Sequence, residues 1–87
     1  MNAKSTHYAY ILECADGTYY CGSTNDLAKR FHQHNNAKAG AHYTKIRRPV
    51  VLKWSQRFRS LAKARAREAE LKRLSRQEKI ALITQSA

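Results

Sequence analysis

Acid, glycine, proline, cysteine and long apolar runs are all scarce in this sequence, and each scarcity excludes something. Only six Asp and Glu stand against seventeen Lys and Arg in 87 residues, a net charge of +11. So concentrated an excess repels basic partners and condenses onto polyanions, nucleic acid first and an anionic membrane surface second. No apolar stretch approaches the length of a membrane span, and the N-terminus has no signal-like hydrophobic segment. The expectation is therefore a cytoplasmic protein with no membrane partner. Cys14 and Cys21 are the two cysteines; they flank a predicted hairpin without facing each other, and two isolated thiols make neither a structural disulfide nor a zinc site. Without an internal repeat, low-complexity tract or linker, the chain reads as one domain with one modest core. That domain is expected over residues 7–84, after a frayed end at 1–6 and before a short C-terminal end at 85–87.

What is present is periodic. From His7 to Cys14 the residues alternate, with Tyr8, Tyr10, Leu12 and Cys14 on one face and His7, Ala9, Ile11 and Glu13 on the other, which predicts a strand. Ala15-Asp16-Gly17 is its turn and Thr18 to Cys21 the return strand, expected to stop near Gly22. Thr24, Asn25 and Asp26 offer side-chain oxygens to a helix N-terminus, and Leu27 and Phe31, four apart, form that helix's apolar stripe. The polar, basic stretch from Asn35 to Arg48 reads as a loop, with Gly40 as a flexible point. Pro49 opens a third strand, Val50 to Phe58, in which Val50, Leu52 and Trp54 share a face and Trp54 is core. Ser60 caps a helix running to about Leu74, with Leu61, Ala64, Glu68 and Leu71 on one stripe. Ser75-Arg76-Gln77-Glu78 fits a capping box that starts a last short helix. The order strand, strand, helix, strand, helix, helix predicts an α+β domain: a small three-stranded antiparallel sheet flanked by helices.

Local sequence leaves the hairpin register open. A two-residue Asp16-Gly17 loop puts Tyr10 and Tyr20 on opposite faces of the sheet. A three-residue Ala15-Asp16-Gly17 loop, with Gly17 left-handed, pairs Leu12 with Tyr20 and puts both phenols on one face.

Chemistry gathers just past that hairpin. Arg30 and His34 are four apart on the first helix, so they point the same way, close to the phenol of Tyr20 that precedes Gly22. A guanidinium forks onto phosphate oxygens, an imidazole carries a proton near neutral pH, and a phenol hydrogen-bonds or gives up a proton. Together they suit a phosphodiester better than a sugar or an acyl group; singly, each also reads as an ordinary surface or strand residue. Glu68 is the single acid on its helix's apolar stripe. Either it stays solvated against Lys72 one turn on, or it turns inward and needs a cation or metal. His42 and Tyr43 read either as surface loop residues or as parts of the site. Lys45, Arg47 and Arg48, and Lys72 within the basic run from Lys63 to Arg76, read either as phosphate-backbone contacts or as solvated charge.

Tyr8-Ala9-Tyr10-Ile11-Leu12, then Tyr20-Cys21-Gly22-Ser23-Thr24-Asn25-Asp26-Leu27 with Arg30 and His34, then Glu68-Ala69-Glu70-Leu71-Lys72, resembles the GIY-YIG nuclease domain, most of all its small stand-alone bacterial members. The resemblance covers Tyr8 to Ile83. Tyr8-Ala9 stands in place of the Gly-Ile of the first signature, Cys21 in place of the Ile of the second, and no Asn follows Asn36 to match the late Asn of many members. What it implies is a divalent-metal-dependent endonuclease using Mg²⁺ or Mn²⁺ on nucleic acid, DNA favoured over RNA, with room for a protein partner or targeting subunit. Tyr10 and Tyr20 would match the motif tyrosines, Arg30 the phosphate-contacting arginine, His34 the helix histidine and Glu68 the metal-binding acid. His42 would sit near a further histidine and Tyr43 near an additional polar site residue. An ordinary phenol has a pKa near 10, so a tyrosine acting as base at pH 7 must gain about 4 kcal/mol of preference for phenolate. Arg30, a metal on Glu68 and the positive field are expected to push Tyr10 that way. The competing reading is a non-catalytic, basic nucleic-acid-binding protein, for which the charge argues equally well.

Overall fold

The computed structural model describes residues 6–36 and 42–86; residues 1–5 of the predicted fray at 1–6, and the flexible point at Gly40, lie outside them. Strand β1 (His7–Glu13) is the middle of an antiparallel sheet, with β2 (Tyr19–Thr24) on one side and β3 (Val51–Phe58) on the other. Because it is paired on both edges and covered on both faces, Ala9, Tyr10, Ile11 and Leu12 are all buried. Ala9, Ile11, Cys21 and Trp54 meet Leu71 of α3 (Leu61–Arg73), with Leu82 and Ile83 of α4 (Arg76–Ser86) closing that layer. Tyr10, Leu12, Cys14 and Val50 form the other layer with Leu27 and Phe31 of α1 (Leu27–Asn36) and Tyr43 of α2 (His42–Lys45). Cys14 and Cys21 are free and buried on opposite faces.

The three-residue turn forms. Cys14 N donates to the Thr18 carbonyl (2.8 Å), Gly17 N to the Cys14 carbonyl (2.9 Å), and Gly17 takes φ +84°, the left-handed conformation this loop requires. Asp16 Oδ1 accepts from both the amide and the hydroxyl of Thr18, at 3.1 and 2.6 Å. Leu12 therefore pairs with Tyr20 and Tyr10 with Gly22, and the two phenols share a face.

Four expectations from periodicity change. First, β2 does not stop at Gly22 but runs to Thr24, because β1 supplies partners as far as Tyr8. Second, Leu52 and Trp54 do not share a face. The pairing of β3 shifts by one between Ile11, opposite Trp54, and Leu12, opposite Leu52, and this bulge at Lys53 turns Leu52 toward α1 and Trp54 toward α3. Third, the Asn35–Arg48 stretch is not all loop: α1 continues to Asn36, and His42–Lys45 form a helical turn. Fourth, α4 extends through Ser86, past the predicted domain end at 84. Leu61 is the weak member of its stripe at 41% exposure, while Ala64 and Leu71 are fully buried.

The predicted caps form. Asp26 Oδ1 accepts from Lys29 N and Ser60 Oγ from Lys63 N, each at 3.1 Å. At α4, Glu78 N donates to Ser75 Oγ (3.1 Å) and Ser75 N to Glu78 Oε1 (2.8 Å), a reciprocal capping box.

Candidate active site

The site forms where β1 and β2 present their shared face to α1 and α2. Tyr10 crosses over Gly22: a Cβ built on that glycine would lie 2.5 Å from the Tyr10 hydroxyl oxygen. Gly22 is thus needed for the space above it rather than for breaking the strand. The Tyr10 hydroxyl meets His34 Nε2 at 2.8 Å, and His34 Nδ1 meets Thr44 Oγ1 at 2.8 Å. All three side chains are buried, so this hydroxyl–imidazole–hydroxyl line is internal.

Above it lies a more open layer. The half-buried Tyr20 ring sits 5.1 Å from the His34 ring and 6.0 Å from the Tyr43 ring, the latter pair stacked at 29°. Arg47 lies over the Tyr43 ring, 3.8 Å from its centroid. Arg30 Nη1 donates to Gln33 Oε1 at 3.1 Å, and the same guanidinium hydrogen-bonds the Tyr10 phenol.

Burial sets the protonation states. Desolvation, with the neighbouring Tyr20, pushes the Tyr10 phenol up to about 12 against the pull of the Arg30 guanidinium. The Arg30 guanidinium therefore does not by itself favour phenolate at Tyr10: burial outweighs it. Ionising it at pH 7 requires about 7 kcal/mol, against about 4 for an ordinary phenol. Desolvation also lowers His34 to about 4, helped by the charges of Arg30 and Arg48. At neutral pH the imidazole is neutral, with one nitrogen donating and the other accepting. The partial protonation that an ordinary imidazole keeps near neutral pH is lost.

Glu68 approaches from the opposite layer. Ser23, one residue past Gly22, points toward α3 and donates from Oγ to Glu68 Oε1 at 2.7 Å, while Lys72 Nζ pairs with Oε2 at 2.8 Å. Burial raises the carboxyl, but the hydrogen bonds from Lys72 and Ser23 and the charges of Lys72 and Arg65 outweigh it and hold the group below the usual carboxylate range. Glu68 thus makes the expected pair with Lys72 one turn on while being half-buried, and Ser23 also anchors it at the edge strand, close enough for its charge to be felt at Tyr10.

The remaining candidates divide. Lys45 and Lys72 are exposed. Arg47 Nε is bound to Asp16 Oδ2 (3.0 Å) and its Nη1 to the Tyr43 carbonyl (3.1 Å), and Arg48 donates to the His34 and Gln33 carbonyls at 2.6 and 3.1 Å. Arg47 thereby ties α2 to the hairpin turn, and Arg48 ties the segment after α2 to the end of α1. His42 opens α2, and its side chain lies outside the described residues. Sequence reasoning gave no role to Ser23 or Thr44; a hydroxyl directly after the motif glycine, and one two residues past His42, were the available signals.

Among the described residues no group of three or more His, Cys, Asp or Glu could hold a metal ion. The donor set is one carboxylate with an adjacent hydroxyl, hard oxygens that suit a magnesium-type ion completed by waters and phosphate oxygens.

The UPF0213 protein of Syntrophus aciditrophicus is 49% identical over 82 residues, 94% of each chain, and that of Staphylococcus saprophyticus 48% over 79 residues, covering 91% of this chain and 95% of the other. The solution NMR structure of the UPF0213 protein BH0048 from Bacillus halodurans superposes with a TM-score of 0.58 at 42% identity, covering 91% of this chain and 83% of that one. The solution NMR structure of EF2693 from E. faecalis does so with 0.64 at 36% identity, over 98% and 90%. A family model described as the GIY-YIG catalytic domain matches residues 6–81, which suggests nuclease chemistry on nucleic acid. The chain belongs to the GIY-YIG family.

Proposed function

We propose that the protein is a divalent-metal-dependent endonuclease that hydrolyses phosphodiester bonds in nucleic acid, DNA in preference to RNA, in the cytoplasm. The observation that carries this reading is the Tyr20 ring packed on His34 of the buried Tyr10–His34–Thr44 line, with the Arg30 guanidinium close enough to act on both Tyr10 and His34. Hydrolysis needs a water aligned with phosphorus, a place for its proton, and positive charge on the non-bridging oxygens. Tyr20, the less buried phenol, orients the water, whose proton is released to solvent as the new P–O bond forms and the bond to the leaving oxygen breaks. Tyr10 holds its proton at neutral pH and, through the imidazole, fixes the floor beneath Tyr20. Arg30 forks onto the phosphate and gathers the charge that builds there. Glu68 would hold Mg²⁺ or Mn²⁺, with Ser23 fixing Oε1 and Lys72 giving up Oε2; such an ion supplies Lewis-acid charge at the phosphate and leaving oxygen.

The experiment is cleavage of a labelled oligonucleotide or plasmid with Mg²⁺ or Mn²⁺, with and without chelator. Tyr20→Phe, Arg30→Ala and Glu68→Ala are each expected to lose about 100-fold or more in rate. Equal rates in wild type and all three variants would defeat the assignment. The alternative, a binder without turnover, is favoured by the Lys72 cation already seated on Glu68. It predicts salt-sensitive binding with no products in any metal.

A further inference from the structure

Beside the Tyr20–Arg30 layer, on the same face of the sheet, lies a groove of about 540 Å³ to which none of the candidate site residues contributes. It is lined by Tyr8 and Leu52 from the sheet, by Leu27, Ala28 and Phe31 from α1, and by Asn25 and Asp26 just before that helix. The volume falls within the range of sites that take small organic groups. Its position is fixed by the elements already described. Tyr8 is two residues along β1 from Tyr10 on the same face, and Phe31 follows Arg30 on α1.

The lining has an unexpected charge for this molecule. The chain carries +11, yet no lysine or arginine lines the groove, and the one ionisable group in its lining besides the Tyr8 phenol is the Asp26 carboxylate. The groove offers a phosphate no side-chain cation. A neutral planar group with hydrogen-bond donors needs none: its faces meet the rings of Tyr8 and Phe31, and its edge meets the amide of Asn25 and the carboxylate of Asp26. A nucleobase has that form. Its own phosphate would then reach the cationic layer next door.

We propose that this groove takes one unpaired nucleobase adjoining the phosphate held at Arg30. The proposal rests on the reading of that layer as a phosphodiester site and adds a substrate class to it. A base in the groove has left its stack, so the preferred nucleic acid is single-stranded or carries an extruded nucleotide. Perfect duplex offers the groove nothing.

The test is binding in the presence of chelator, to a duplex with a single bulged 2-aminopurine, the same duplex with an abasic bulge, and a fully paired duplex. Wild type is expected to bind the base bulge about tenfold more tightly than the abasic one, as for stacking of one base on aromatic side chains, and to quench the 2-aminopurine emission. Phe31→Ala removes one lining ring and is expected to abolish both effects. Because Phe31 also packs against the core, Ala28→Trp serves as a second variant: Ala28 is an exposed helical residue of the lining, and the indole fills the groove from outside. It is expected to bring base and abasic bulges to the same affinity while leaving abasic binding as in wild type. Equal wild-type affinity for the two bulges without quenching overturns the proposal, as does a preference that survives Ala28→Trp. Cleavage is read separately. Base-selective binding without products upholds the groove and defeats the nuclease, whereas equal cleavage of both bulges upholds the nuclease and defeats the groove.

Discussion

Gly22 and Gly17 serve opposite purposes, and substitution separates them. At Gly17 an added methyl meets nothing within 4 Å, but φ is +84°, so alanine there is strained by the backbone alone and destabilises the fold by about 1–2 kcal/mol. At Gly22 a Cβ would fall 2.5 Å from the Tyr10 hydroxyl oxygen. Tyr10 must shift off His34, with a destabilisation of about 1–3 kcal/mol from overpacking. Gly22→Ala and Gly17→Ala are thus expected to lower the urea midpoint by similar amounts and to differ in activity. Gly17→Ala keeps the cleavage rate, and Gly22→Ala loses most of it. If both retained the rate, the placement of Tyr10 over Gly22 would be irrelevant to chemistry. The sequence marks both positions as glycine, yet it does not tell a left-handed turn from a close approach, because the atom that would be struck comes from a strand twelve residues earlier.

The junction of α1 with α2 depends on one neutral imidazole. His34 is buried between the Tyr10 and Thr44 hydroxyls, and its value of about 4 lies below the ordinary 6.5. The unfolded chain therefore binds a proton that the folded one refuses between those values. In that window the slope of unfolding free energy against pH is positive, so stability falls as pH falls from 6.5 toward 4, by about 3 kcal/mol in all and about 2 by pH 5. Asp16 and Glu68 are both held low and add their losses only below the ordinary carboxylate range. Urea midpoints at pH 7 and pH 5 should differ accordingly in wild type and much less in His34→Gln; an equal difference in the two would remove His34 from the explanation. Thr44→Val, which keeps the shape and deletes the hydroxyl, is expected to lose about 1–3 kcal/mol at pH 7, the usual effect of leaving a buried polar atom unpaired. This element also shows what the sequence could disclose. Capping at Asp26, Ser60 and Ser75 was legible because it is settled within four residues. The α2 turn, the Lys53 bulge and the anchoring of Glu68 by Ser23 were not. Each is decided by a partner distant in the chain: His34 for Thr44, β1 for β3, Ser23 for Glu68. A sheet covered on both faces also lets either face of β3 be apolar, so alternation alone could not show where Leu52 and Trp54 part.

Across the whole molecule, every acid is already engaged. Asp16, Glu13, Glu70 and Glu68 pair with Arg47, Lys53, Arg67 and Lys72, at 3.0, 3.7, 2.9 and 2.8 Å, while Asp26 and Glu78 cap helices. None is left to neutralise the remaining +11. A polyanion that binds such a surface gives up condensed counterions, and the logarithm of affinity falls with the logarithm of salt by about 0.9 for each duplex phosphate neutralised. A footprint of about five phosphates corresponds to a slope of about −4 to −5, measurable by fluorescence anisotropy between 50 and 200 mM salt. Arginines should then divide by the use of their guanidiniums. Arg30→Ala is expected to reduce the slope by about one unit and to abolish cleavage. Arg48→Ala removes donors to the Gln33 and His34 carbonyls, so it is expected to leave the slope unchanged and to lower stability by about 1–3 kcal/mol. Were Arg48→Ala to flatten the salt dependence as much as Arg30→Ala, the guanidinium at the end of α1 would belong to the nucleic-acid surface, and the division between binding and fastening arginines would fail.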